Sequence, residues 1–145
     1  MRNVRIRVLF VAVALALAFT AKVARAEPHR VINEKTPGQA VDIAQFVVKG
    51  KVNVFDFYSR FCGPCMRLSP YLEQLAQKEA NVAVNKVDIN RPGTQGIDWD
   101  SPAAKQYKLH SIPYFMVFDA QGKKVAEGDD ARKMVLELLQ KAGIH

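Results

Sequence analysis

Val52-Asn53-Val54-Phe55-Asp56-Phe57-Tyr58-Ser59-Arg60-Phe61-Cys62-Gly63-Pro64-Cys65 joins a strand-like run to a helix-like run, Met66 to Ala80. The stretch ends on the chain's only two cysteines, three positions apart. A close pair between a strand and a helix reads as a redox dithiol rather than a staple. A disulfide stabilises mainly by restricting the unfolded chain. For so short a ring that term is roughly 2 kcal/mol, against about 4.7 for a 100-residue loop. Such a bridge adds little stability but can switch between dithiol and disulfide. A zinc half-site is the rival reading. It needs two more ligands, and His29, His110 and His145 show no paired spacing. An inert structural disulfide is the third.

Outward from this stretch, Lys51 to Tyr58 is the first strong strand and Val82 to Ile89 the second. The helix between them is expected over Cys65 to Ala80. It carries Leu68, Leu72, Leu75 and Ala76 on one stripe, and Pro70 inside it should kink it, because its ring removes one hydrogen bond. Upstream, Val31-Ile32-Asn33 is expected as an edge strand. Ala40, Ile43, Phe46 and Val47 fall at helical spacing before a stop at Gly50. Downstream, Ser101-Pro102 is a helix start, a hydroxyl cap followed by proline. Tyr114 to Phe118 is an apolar strand, and Lys123 to Glu127 returns as its antiparallel partner. Met134, Val135, Leu138, Leu139 and Ala142 form the stripe of a last helix capped by Asp129 or Asp130. The order β-α-β-α-β-α-β-β-α predicts an α/β fold, a central mixed sheet with helices on both faces.

The amino terminus reads as a leader. Arg2, Arg5 and Arg7 precede Val8 to Ala21, an apolar run of 14 residues, and Ala24-Arg25-Ala26 resembles a cleavage site. Residues 1–26 are expected to be a cleaved signal peptide and residues 27–145 one domain. The alternative is a retained membrane anchor. With no third cysteine, a lipoprotein anchor is excluded. The chain has 21 basic and 14 acidic residues, a net +7, and the leader holds five of the basic ones. The remainder is 16 basic against 14 acidic, or +2. Nothing in that balance argues for nucleic acid. Export places the pair where disulfides persist, so the expected location is periplasmic or secreted.

Taken together, these residues resemble the thioredoxin family. The resemblance rests on Phe57 to Cys65, with Asp56 six residues before the first cysteine and Pro70 in the following helix. It continues through Lys86, Ile112-Pro113 before the apolar strand, and Gly128 after the hairpin. A bare C-x-x-C is shared by several chemistries; C-G-P-C with these partners at these intervals is far more restrictive. Two departures bear on partner choice more than on chemistry. Phe61 and Tyr58 stand where the family usually has tryptophan. Gln95 to Pro102 looks like an insertion and carries the only tryptophan, Trp99. Trp99 and Tyr107 are read as closing the core, with part of a partner surface as the alternative.

The resemblance implies a thioredoxin fold and a protein-disulfide reductase. Cys62, where a helix begins, is the expected nucleophile, since free amides and the helix dipole favour a thiolate. Cys65, expected to be the more buried, resolves the mixed disulfide. Asp56 shares a strand face with Val52 and Val54, so burial should favour its neutral form and suit it to accept the Cys65 proton. Lys86, at matching strand parity, either tunes Asp56 or snorkels to the surface. Gly63, Pro64, Ile112, Pro113 and Gly128 are the implied substrate contacts, with a cis bond at Pro113. No metal, flavin or nucleotide cofactor is called for. The implied partners are cysteine-containing extracytoplasmic proteins and a membrane thiol-electron donor, and the protein is expected to be a monomer. A disulfide oxidase or isomerase, and a non-catalytic binding module on the same fold, remain the alternatives.

Overall fold

A computed structural model describes residues 29–145; the expected signal peptide, residues 1–26, lies outside them. Five strands form one sheet in the order β1-β3-β2-β4-β5. They are β1 (His29–Val31), β2 (Val52–Tyr58), β3 (Val82–Asp88), β4 (Tyr114–Phe118) and β5 (Lys124–Glu127). β3 runs parallel to both β1 and β2, β4 is antiparallel to β2, and β5 is antiparallel to β4. The helices are α1 (Gly63–Lys78), α2 (Pro102–Gln106) and α3 (Gly128–Lys141).

Strand alternation divides the core into two layers. Val54, Val82, Val84, Phe115 and Val117 point to the face covered by α1 and α3, where they meet Leu72, Leu75, Val135 and Leu139. Phe55, Phe57, Val87, Met116 and Phe118 point to the other face, against Ile43, Ala104 and Leu109. β2 is the central strand, so its residues 53–57 are buried on both faces. Full burial of Phe55 and Phe57 contributes about 1.5–3 kcal/mol each.

The expected helix over residues 40–49 is a single 3-10 turn, Ile43–Phe46. Its neighbours bond elsewhere. The Val41 amide donates to Gln106 Oε1 (2.9 Å). Asn53 takes both polar groups of Val48, accepting its N–H (2.8 Å) and donating to its carbonyl (3.0 Å). Backbone groups satisfied by side chains have none left for a helical ladder. The edge strand ends at Val31 rather than Asn33, because the Asn33 side chain replaces the ladder. Its amide bonds the Asp88 carbonyl (2.8 Å) and its oxygen accepts the Asp88 N–H (3.0 Å).

α1 begins two residues earlier than expected, because Cys62 itself is the N-cap: its Sγ accepts the Cys65 N–H at 3.2 Å. α1 runs unbroken through Pro70, which is exposed. Ser101 caps α2 as expected, accepting from Ala104 N (3.1 Å). α3 has Glu127 at its N-cap, with no side-chain cap bond, and Asp129 and Asp130 lie inside its first turn. There they face the positive end of the helix dipole.

Candidate active site

The loop from β2 to α1 is set by Ser59. Its buried hydroxyl accepts the Phe61 N–H (3.1 Å) and its carbonyl accepts the Cys62 N–H (3.0 Å). This turn delivers Cys62 to the helix start, where it is joined to Cys65 in a disulfide. Cys65 is the more buried by a narrow margin, 2% against 4% exposed. Gly63 and Pro64 between them are exposed. The Ile112–Pro113 bond is cis, as the resemblance implied. The Ile112 carbonyl oxygen lies 3.7 Å from Cys62 Sγ. Gly128 has φ +62°, and its missing Cβ would stand 3.5 Å from the Tyr114 ring. Ile112, Pro113 and Gly128 line one depression of about 170 Å³. Gly63 and Pro64 thus lie between the bonded cysteines and Ile112 beside Cys62, while Pro113 and Gly128 line the depression that Ile112 shares.

Asp56 lies on the α1 side of the sheet, with Val54. It is 1% exposed and its Oδ1 has no hydrogen-bond partner among the described residues. Burial raises its pKa from 3.8 to about 7, against the opposing pull of the Lys86 charge. Lys86 is its neighbour in register on β3 and does not snorkel, being only 5% exposed. Its Nζ donates to Ser69 Oγ at 2.6 Å and stands 4.0 Å from the centroid of the Tyr58 ring. Burial lowers the Lys86 pKa, and the charge of Asp56 opposes that. Among the described residues the two make no ion pair.

The sequence assigns no role to Ser69 and marks Tyr58 only as standing where the family usually has tryptophan. Ser69 follows Cys65 by four residues and so shares the α1 face turned to the sheet; that spacing was the available signal. Trp99 departs from expectation: it is 39% exposed and closes no core. Asp98 orders its loop instead, with a bidentate contact to Arg91 (2.7 and 2.9 Å) and the Thr94 hydroxyl at 3.3 Å. Tyr107 does pack inward, its ring 4.7 Å from Phe57 and its hydroxyl bonded to the Val41 carbonyl (2.6 Å). Among the described residues no group of three or more His, Cys, Asp or Glu side chains could hold a metal ion. None of their helices is long and apolar enough to cross a membrane.

A two-layered mixed sheet with a disulfide at a helix start, facing a cis-proline loop, defines a dithiol–disulfide exchange protein. Comparison with known proteins agrees. The thioredoxin family model matches residues 39–141. An H-type thioredoxin of Fagopyrum esculentum is 36% identical over 66% of this chain and 73% of its own length. The thioredoxin of Chlamydia caviae is 37% identical over 59% of this chain and 74% of its own. Among solved structures, Malassezia sympodialis thioredoxin superposes with a TM-score of 0.50 at 25% identity, covering 79% of this chain and 90% of that one. The chain belongs to the thioredoxin family. It is a disulfide oxidoreductase whose Cys62–Cys65 pair occupies the active-site position, and the substrates of this family are cysteine-containing proteins.

Proposed function

We propose that this protein is exported and reduces disulfides in extracytoplasmic proteins through a mixed disulfide. The observation that carries the chemistry is the cap at α1: an amide already directed at Cys62 Sγ would stabilise a thiolate there. In the reduced protein, the Cys62 thiolate attacks one sulfur of a substrate disulfide. That bond breaks, and the other substrate sulfur leaves as a thiolate and takes up a proton. Cys65 then gives its proton to the Asp56 carboxylate, directly or through water, and attacks Cys62 Sγ. The mixed disulfide breaks, the second substrate thiolate leaves, and the pair is left oxidised. Two electrons have passed to the substrate. Near pH 7 a group with a pKa of about 7 is divided between acid and base, the condition that suits a proton acceptor.

Gly63 and Pro64 leave room for substrate backbone, the Ile112 backbone beside Pro113 pairs with an extended segment, and Gly128 permits close approach. Lys86 tunes Asp56 through its charge. Arg2, Arg5 and Arg7, the apolar run and Ala24-Arg25-Ala26 support export with cleavage before Glu27. A membrane thiol-electron donor then restores the dithiol.

The test is covalent capture in the extracytoplasmic compartment. Cys65→Ser should accumulate a dithiothreitol-sensitive adduct with a cysteine protein, which Cys62→Ser abolishes. An adduct that survives Cys62→Ser overturns the assignment of the nucleophile. The redox potential tests direction, since about 30 mV is a tenfold change in the equilibrium. A value near the strong periplasmic oxidants, about −120 mV, overturns reduction in favour of disulfide donation. An amino terminus other than Glu27 on the exported protein overturns the cleavage assignment.

A further inference from the structure

Between the dithiol end of α1 and the facing surface of α3 the packing leaves an open groove of about 230 Å³. Pro64, between the two cysteines, and Pro113, next to Ile112 whose carbonyl lies 3.7 Å from Cys62 Sγ, both line it and mark its inner end. Leu68, Tyr71, Val135 and Leu136 line its length. Leu136 is 52% exposed, on a helix whose other apolar residues turn to the core. The groove continues past Leu68, Tyr71 and Leu136 toward Ile144. Two cations flank its inner end. Arg67 lies along Gly63, its Nη1 3.4 Å from where a Cβ would stand. Arg132 lines both this groove and the depression on the other side of Pro113. Neither arginine makes an ion pair among the described residues. Among the described residues no Asp or Glu side chain lines the groove; Asp129 lines the neighbouring depression.

The inner part of the groove, about 230 Å³, is below the roughly 300–1,000 Å³ of sites for drug-sized ligands. It suits a side-chain anchor rather than a cofactor. Free guanidinium groups beside an apolar trough favour an occupant with an apolar side chain next to carboxylates, because Arg–carboxylate contacts are directional and charge-assisted. Continuity with Pro64 and Pro113 places that occupant on the same chain as the attacked sulfur.

We propose that the α1–α3 groove is a specificity subsite of the redox site, taking an apolar side chain flanked by Asp or Glu on the substrate segment next to its disulfide. This rests on Cys62 attacking a substrate disulfide. The probes are disulfide-linked peptides with a Leu beside the cysteine, flanked by two Glu or by two Lys, with hydroxyethyl disulfide as a neutral substrate that cannot reach the groove. At low salt, kcat/KM of the wild-type protein should favour the acidic peptide by about tenfold. The preference should shrink as ionic strength rises from about 0.01 M to about 1 M, where the screening length falls from about 30 Å to about 3 Å. Arg67→Glu with Arg132→Glu should invert it. Arg132→Gln alone should reduce it. A wild-type ratio near one, or a ratio unchanged in the double variant, overturns the subsite. Failure of the wild-type protein to reduce hydroxyethyl disulfide instead overturns the reductase reading on which the subsite rests.

Discussion

Replacing Asp56 with asparagine should make the oxidised protein more stable, and by an amount that grows with pH. Asp56 is buried, its Oδ1 is unpartnered among the described residues, and its pKa stands at about 7 in the folded protein against 3.8 for a free aspartate. A folded-state pKa above the unfolded one means that the native protein binds the proton more tightly. The associated stability is complete below pH 3.8 and is lost as pH rises through about 7. At about 1.4 kcal/mol per unit, the full loss is about 4 kcal/mol, of which about 3 falls between pH 5 and pH 8. Asparagine is close in shape and carries no charge at any of these pH values, so the variant lacks this slope. Burial also shifts His29 and Asp88, which titrate in either protein and cancel in the difference; Lys86 does not cancel, because the Asp56 charge that opposes its lowered pKa is lost in the variant. Urea unfolding with the disulfide intact, at pH 5 and pH 8, measures it, provided that the m-value is unchanged. The advantage of Asp56→Asn should increase by about 3 kcal/mol between the two pH values. A difference constant to within about 1 kcal/mol would refute a carboxyl held neutral by burial.

Other perturbations test the surroundings of that carboxyl and the loops that frame it. Lys86→Met removes a positive charge that lowers the Asp56 pKa. Comparing Lys86→Met with the Lys86→Met/Asp56→Asn double variant should therefore place the Asp56 titration above pH 7, and an unmoved midpoint would show that the ammonium does not act on it. Gly128→Ala places a side chain at φ +62° with ordinary van der Waals room beside Tyr114. It should cost about 1 kcal/mol in urea unfolding. Gly38→Ala has φ +75° and would put its Cβ 2.5 Å from the Arg91 backbone nitrogen. Strain and overlap together should cost about 3 kcal/mol. Equal losses in the two variants would mean that the loop at Arg91 yields freely.

Much of this arrangement was legible because it is local. Apolar runs marked β2, β3 and β4, and β4 has the expected bounds, Tyr114–Phe118. Ser101-Pro102 announced α2 because a hydroxyl cap acts within one turn. The dithiol, the aspartate and the Ile112-Pro113 step were legible through their resemblance to a family pattern. What escaped depends on partners far along the chain. The backbone at residues 41–48 reads as helix until Gln106 and Asn53 are seen to satisfy it. Trp99 reads as core until the Arg91–Asp98 contact is seen to order its loop without it.

The same distinction separates what could and could not be read about Asp56. Strand parity placed the carboxylate on the inner face, where burial is expected to favour its neutral form, and matched it with Lys86; a direct ion pair between the two would act the other way. Such a pair would depress the aspartate pKa. The pKa is raised, the direction that burial predicts, and the ammonium is engaged elsewhere, by a 2.6 Å hydrogen bond to Ser69 and the face of Tyr58. The carboxylate feels the lysine charge without its hydrogen bond, and desolvation outweighs attraction. Ser69 comes from α1 and Tyr58 from the end of β2. The neutral form of Asp56 is therefore favoured by its burial on the α1 side of the sheet, against the pull of the Lys86 charge.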